Sequence, residues 1–477
     1  MRTTTHRPSS DGTNRSSRSL DQRWLIALVT VLVLVLAACS GGDDAGDDGD
    51  EGATDTGETA AEDTADDNTA DEGGDEESTD GESVEIRFVG TQPAELIDPV
   101  TEQFEESHDG IDVTYESVPF EELSAVIAQR VGGGTQDIDV YYADAPRNPT
   151  IVEEGYALDL TDLIGVDALE GVVPEASIET AVIDDRLWTV PMRTSTQLLY
   201  YNIDLLEAAD IEPPSMDPAE RITWEELRDL SEQAQEAGAT WGYVDDQVSR
   251  YYQFQPLPES QGGGSGLSGP EGTEVDVTND GWIAATEYWA DLYESGLAPR
   301  GVEPNDTKPL FFNGEAAFMP GGPWWIPDFS GTEDLNYGIA AYPYFEGGEE
   351  VTPTDSEHLA IDPNTEHVDA AVTFVEWITL TEEGALAMAS GLAVPSANLE
   401  ALPQQLAELE STRDTLTGLA DLVTYEIDNT AVPRPFSVGY VEFETLIGEA
   451  LEDIRNGSDV TERLTQAEED IARAFER

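Results

Sequence analysis

The chain has 477 residues, 101 acidic against 21 basic side chains, and a formal net charge of −80; 39% of its residues are hydrophobic and 8% aromatic. That apolar content excludes a wholly disordered chain, and the length predicts two or three domain-sized units. The charge excludes polyanionic partners, because neither nucleic acid nor an anionic membrane surface approaches such a field without strong repulsion. One lysine, Lys308, stands against twenty arginines. The balance suggests surroundings rich in salt, where screening relieves self-repulsion; high genomic arginine usage is the competing explanation for the missing lysine.

In chain order, residues 1–24 carry five arginines and two acids, and an uncharged run of 14 residues, Leu25 to Ala38, follows. It is shorter than the roughly 20 residues of a membrane span, and a basic leader before a short apolar core predicts a secretory signal peptide. The run ends Leu36-Ala37-Ala38-Cys39 and then Ser40-Gly41-Gly42, with Cys39 the sole cysteine. This resembles the lipobox of bacterial lipoproteins, which implies cleavage before Cys39, lipidation of its thiol and a membrane anchor facing outside. With Cys39 taken, no disulfide is available and the exported fold stands on its core alone. An ordinary signal sequence with an incidental cysteine is the plainer alternative.

Residues 40–82 hold 19 acids, no base and no Val, Ile, Leu or aromatic residue. Such a segment buries too little to order itself; as a flexible coil it reaches about 35 Å. It is expected to be a spacer. No loop with calcium-ligand spacing appears in it.

The remainder, residues 83–477, keeps 80 acids against 16 bases. Alternation and β-branching predict a strand over Val84–Val89, and Leu96, Val100 and Phe104 fall at helical spacing. A second strand (Ile111–Val118), a helix lined by Leu123, Val126, Ile127 and Val131, a glycine stop at 132–134 and a third strand (Ile138–Ala143) follow. This order predicts parallel βαβ units and ligands at strand carboxyl ends. Thr223-Trp224-Glu225-Glu226 has the pattern of a capping box. Trp282, Ala285, Trp289 and Leu292 share one helix face, residues 262–272 read as a loop, and further strands are expected at Ala316–Met319, Tyr337–Ala341 and Leu359–Asp362. Two amphipathic helices close the chain, one striped by Tyr440, Phe443, Ile447, Leu451 and Ile454, the other by Leu464, Ile471 and Phe475.

Several segments in this order resemble the maltose-type solute-binding proteins of bacterial ABC importers. They are Asp139 to Asp144 with Gly155-Tyr-Ala-Leu-Asp-Leu; Trp188-Thr-Val-Pro191 leading to Leu199-Tyr-Tyr-Asn202; Phe312-Asn-Gly-Glu-Ala-Ala-Phe-Met before Gly322-Pro-Trp-Trp325; Ala370 to Trp377 with Thr381-Glu-Glu-Gly384; and Arg434-Pro435. The resemblance implies an α/β, two-lobed periplasmic-binding-protein-like fold with several hinge crossings. Lobe 1 would take residues 83–192 and 345–395, and lobe 2 residues 193–344 and 396–477. It also implies a sugar held in the cleft between them. Sugar recognition needs flat apolar faces and paired planar hydrogen-bonding groups, which nine tryptophans and sixteen tyrosines can supply.

Asp144, at the end of the third strand, is expected either to accept sugar hydroxyls or to cap the helix after Pro146. Arg147 shares that ligand or pairs with Asp144. Relatives line the cleft near Arg193 and Ser195, although the family often has a carboxylate where Ser195 stands, and Arg193 equally suits a structural ion pair. Tyr251 or Tyr252 is expected as a stacking platform, with packing between loops as the alternative for one of them. Of Trp324 and Trp325, one is expected to stack on the ligand and the other to be buried. Glu357 is preferred over His358 at the turn facing the cleft.

The reading that results is a lipid-anchored, monomeric component of an importer that captures a disaccharide or oligosaccharide outside the cell and delivers it to a membrane permease, with no cofactor, metal or nucleic acid. The same fold binding a polyamine or betaine is the first alternative. A surface glycosidase is weaker: carboxylate pairs arise by chance among so many acids. A Gly-x-Ser-x-Gly elbow and a His-Glu-x-x-His motif are absent, and the only lysine is followed by Pro309, which excludes a phosphate loop. A scaffold or adhesion lipoprotein is the third.

Overall fold

The computed structural model describes residues 83–476 apart from 270–271, 355–356 and 390–392. The expected signal peptide, Cys39 and the expected acidic spacer lie outside the described residues. Among the described residues no helix is long and apolar enough to cross a membrane.

Two sheets organise the described chain. Their strands, in order, are β1 (Val84–Gly90), β2 (Ile111–Ser117), β3 (Val140–Asp144), β4 (Val190–Arg193), β5 (Leu198–Asn202), β6 (Trp241–Tyr243), β7 (Ala316–Gly321), β8 (Tyr337–Ala340) and β9 (Glu357–Ile361). The first sheet runs β2-β1-β3-β9-β4 and the second β8-β5-β7-β6.

β1 pairs in parallel with β2 and β3, through the helices Ala94–Ser107 and Phe120–Arg130, as the alternating pattern predicts. The second helix runs into the 132–134 glycines, where Gly134 takes φ +65° and so ends it. β9 departs from the parallel scheme, pairing antiparallel to both β3 and β4. It comes from more than 200 residues downstream of β3, so nothing local in the sequence announces the pairing. Its register sets Glu357 opposite Asp144 on one side and Arg193 on the other, with an irregularity after Glu357. Three charged side chains thus end three adjacent strands.

The core of the first sheet gathers Ile86, Phe88, Val140 and Leu359 with Phe104, Phe374 and Trp377 of the flanking helices. The second sheet is covered on both faces. Along β5, Leu199 faces one core with Trp224, Trp282, Phe318, Phe443 and Ile471, whereas Leu198 and Tyr200 face another with Phe329, Leu406 and Leu422. That is the period-two alternation of a strand, here apolar on both sides. Thr223 accepts from the Glu226 amide and Glu226 returns the bond, so the capping box forms and starts the helix Trp224–Ala237.

The chain passes between the sheets at residues 194–197, again between Ala340 and Glu357, and a third time after the helix Glu382–Ala389. Phe345 belongs to the second core and Ala397 to the first.

Candidate functional site: a cleft between the two sheets

The carboxyl end of β3 and the amino end of the antiparallel β9 meet the loops that follow β6 and β7 around a cavity of about 500 Å³, a size typical of small-molecule pockets. Asp144, Ser195, Tyr252, Trp324, Trp325 and Glu357 line it together. Arg147, Arg193 and Tyr251 are not part of its lining.

Each position has a local cause. The two carboxylates stand at strand ends in the row set by β9. Glu357 accepts from Arg193 Nη1 at 2.8 Å, and Arg193, 2% exposed on its side chain, also donates to Tyr142 Oη at 2.9 Å. Asp144 makes no side-chain cap to the turn after it. Its Oδ1 instead accepts from Arg434, and its Oδ2 lies 3.1 Å from Arg147 Nε. Burial raises the Asp144 carboxyl, but Arg434, Arg147 and Arg250 outweigh it and hold the group below the usual carboxylate range. Arg147 reaches on to Glu444 at 2.8 Å, and Arg434 to Glu444 at 3.4 Å and to Tyr440 Oη at 2.9 Å. Glu444 sits on the helix Tyr440–Arg455, whose apolar face belongs to the second core. The Arg147–Glu444 pair therefore ties the two sheets together behind the cleft.

Tyr251 and Tyr252 are neighbours on the short helix Tyr251–Phe254, about 100° apart around its axis. Tyr251 turns into the core, stacked on Trp282 and donating to Ser265 O at 2.5 Å. Tyr252 turns to the cleft, its hydroxyl 2.9 Å from Ser195 Oγ. Trp324 and Trp325 are both half-buried and both line the cavity, with ring centroids 6.5 Å apart and planes at 66°. Of the expected division into one ring stacking on the ligand and one buried, the second half does not hold, since neither ring is buried. Trp324 lies across Gly322, where a Cβ would fall 1.9 Å from its ring. Trp325 Nε1 donates to Asp246 Oδ2 at 2.8 Å.

His358 stands behind Glu357, fully buried, its Nδ1 2.7 Å from Thr189 Oγ1 and 3.1 Å from Asn148 Nδ2. Burial pushes its pKa down to about 3, so the ring is neutral and structural.

Sequence reasoning missed Gln92, Phe120, Gln247, Arg250, Gln253 and Asp328, which also line the cavity. Arg250 lies 4.7 Å from the Phe120 ring, a contact between the two halves of the cleft. Gln253 is buried, and its Oε1 has no partner among the described residues. Gln247 and Ser249 take φ of 44° and 67°, a left-handed backbone unusual outside glycine, which marks the loop that carries Gln247 and Arg250.

Chemically the cavity offers two indoles, a phenol, amides, and carboxylates already paired with guanidinium groups. Its one serine shares a hydrogen bond with a tyrosine hydroxyl, and no histidine is among the described lining residues. The arrangement can hold a ligand by stacking and hydrogen bonds.

Comparison with known proteins agrees. The family model for bacterial extracellular solute-binding proteins matches residues 90–385. The chain belongs to that family. It is 26% identical over 268 residues to the maltodextrin-binding protein MdxE of Bacillus subtilis, an alignment covering 54% of this chain and 60% of that one. To the maltooligosaccharide ABC transporter solute-binding lipoprotein of Streptococcus pneumoniae it is 24% identical, over 43% of this chain and 48% of the other. The solute-binding protein's matches thus span about half to three fifths of these relatives' lengths. An ABC substrate-binding protein of Listeria monocytogenes, solved with cycloalternan, superposes with a TM-score of 0.73 at 17% identity, over 83% of this chain and 99% of that one. The periplasmic-binding-protein fold expected from the sequence is the fold observed.

Proposed function

We propose that this solute-binding protein captures a neutral oligosaccharide of the malto-oligosaccharide class in the cleft and delivers it to the membrane permease of an ABC importer. The observation that carries the reading is the cleft itself: Trp324, Trp325 and Tyr252 converge on one cavity with amides and charged groups that already neutralise one another. Rings stack on the C–H faces of a sugar, and fixed ion pairs hydrogen-bond its hydroxyls in pairs. The names of the relatives, maltodextrin-binding and maltooligosaccharide-binding, point to the same class.

The ion pairing argues against a cationic ligand. A cage for a polyamine or betaine needs carboxylate charge to spare, whereas Asp144 and Glu357 each face a guanidinium group. Asp144, Ser195, Tyr252, Trp324, Trp325 and Glu357 are the proposed contacts, with Arg193 and Arg147 acting through the carboxylates they hold. Anchoring through a lipid on Cys39, with residues 40–82 as the spacer, completes the proposal. It is supported by the lipobox-like end of the leader and by the lipoprotein in the name of the pneumococcal relative. Closure of the cleft would be stabilised by contacts from both sides to the bound sugar.

A thermal-shift and calorimetric panel of malto-oligosaccharides, other disaccharides, polyamines and betaines tests this. A rise in Tm with malto-oligosaccharides, and intact sugar recovered by mass spectrometry, is the expected result. A shift with cations alone overturns the ligand class, and turnover of the sugar overturns the transport role. Palmitate labelling in the cell, lost in Cys39→Ala, tests the anchor.

A further inference from the structure

Trp325 is held at three points. Its indole Nε1 donates to Asp246 Oδ2 at 2.8 Å, and Asp246 is 1% exposed. The Lys308 ammonium lies 3.9 Å from the centroid of its ring. Its edge rests on the backbone at Gly321, where a Cβ would stand 3.2 Å from Cδ1. Lys308 is fixed in turn by Asp328, 2.8 Å away, which lines the cleft beside Trp325.

Lys308 is the only lysine in a chain that otherwise places its positive charge on arginine. An ammonium is a compact point charge on a flexible stem, suited to sit over one ring face while pairing with a carboxylate at the rim. A half-buried indole without such supports must give up rotamer freedom when a sugar stacks on it, and that loss is subtracted from affinity.

We propose that Lys308 and Asp246 are positioning residues for Trp325: together they fix the indole with one face covered by the ammonium and the other left for the ligand. The inference rests on reading the cleft as an oligosaccharide site, and it adds two residues that do not themselves line the cavity.

The sole lysine makes the arrangement directly observable. Reductive ¹³C-methylation of the purified full chain keeps the charge and yields a single dimethyl-lysine side-chain signal in the NMR spectrum. That signal is expected upfield of free dimethyl-lysine because of the indole ring current. It should return to the free position in Trp325→Leu and move when maltotriose is added. In calorimetry with maltotriose, Lys308→Met should weaken binding about tenfold, and Lys308→Arg should recover it to within about threefold of wild type, since a guanidinium group also covers the ring and pairs with Asp328. A signal at the free position and insensitive to Trp325→Leu overturns the proposal, as does wild-type affinity in Lys308→Met. If the wild-type protein does not bind maltotriose, the ligand reading fails, and the position of the signal in wild type and Trp325→Leu decides the clamp without it.

Discussion

Asp246 shows at the scale of one residue what holding an aromatic platform costs. Burial pushes its carboxyl up to about 6, against the indole hydrogen bond of Trp325 and the charges of Arg250 and Lys308. Between about pH 4 and pH 6 the folded chain therefore keeps a proton that the unfolded chain has released. Stability falls as pH rises through that window, and above it the fold carries a buried charge at a cost of about 1–3 kcal/mol. Asp246→Asn keeps an acceptor for the indole and removes the charge. It should be more stable than wild type by about that amount at pH 7.5 and equal to it at pH 4, by urea unfolding at both pH values. His358 works in the opposite sense, since its low pKa loses stability as pH falls below about 6.5, but it is common to both proteins and cancels in the difference. A gain of the same size at both pH values would show that the charge is not its cause. At the ligand itself, Trp324→Ala should weaken maltotriose binding by about 1–3 kcal/mol; unchanged affinity by calorimetry removes that ring from the site.

At the scale of elements, the turn after β7 sets both indoles. Gly322 leaves room for the Trp324 ring where any Cβ would collide with it, so Gly322→Ala should displace the ring and cost maltotriose affinity about as much as Trp324→Ala. Retained affinity in Gly322→Ala would show that the ring has another resting place. The same scale explains what could be read from the sequence. β1 to β3 and their helices follow from local periodicity, and the Thr223 capping box from four consecutive residues. β9 did not reveal its direction, because antiparallel pairing between β3 and β4 is decided by strands far away in the chain. Adjacent aromatics posed the other difficulty: Tyr251 and Tyr252 are alike in composition and neighbourhood, and only the rotation of about 100° from one helical residue to the next sends one to the core and the other to the cleft. Arg147 looked like a cleft residue because its partner Glu444 is 297 positions away. Gln247 and Arg250 lie in a loop with no motif that leads into the Gln253 helix, and the left-handed backbone that marks it is visible only in three dimensions.

For the whole molecule the question is how a fold with this much negative charge holds its two halves together. Residues 83–477 carry a net charge of −64, and most of those carboxylates are exposed, so their repulsion is long-ranged and screened by salt. The link behind the cleft is different in kind. Arg147 and Glu444 are each 16% exposed on their side chains, and Arg434 is 1% exposed, so salt reaches them poorly. The two terms should therefore separate under titration with NaCl. The Tm of the wild-type protein should rise from 0.1 to 2 M NaCl as surface repulsion is screened. Glu444→Gln leaves Arg147 and Arg434 to share Asp144, and should cost about 1–3 kcal/mol, on the scale of a partly buried pair losing one partner. That deficit should stay nearly constant while both melting curves move up together. A wild-type Tm that is flat or falls with salt would mean that the acidic surface does not burden the fold. A deficit that vanishes in 2 M NaCl would mean that the Arg147–Glu444 link behaves as an ordinary surface pair and is not what joins the two sheets.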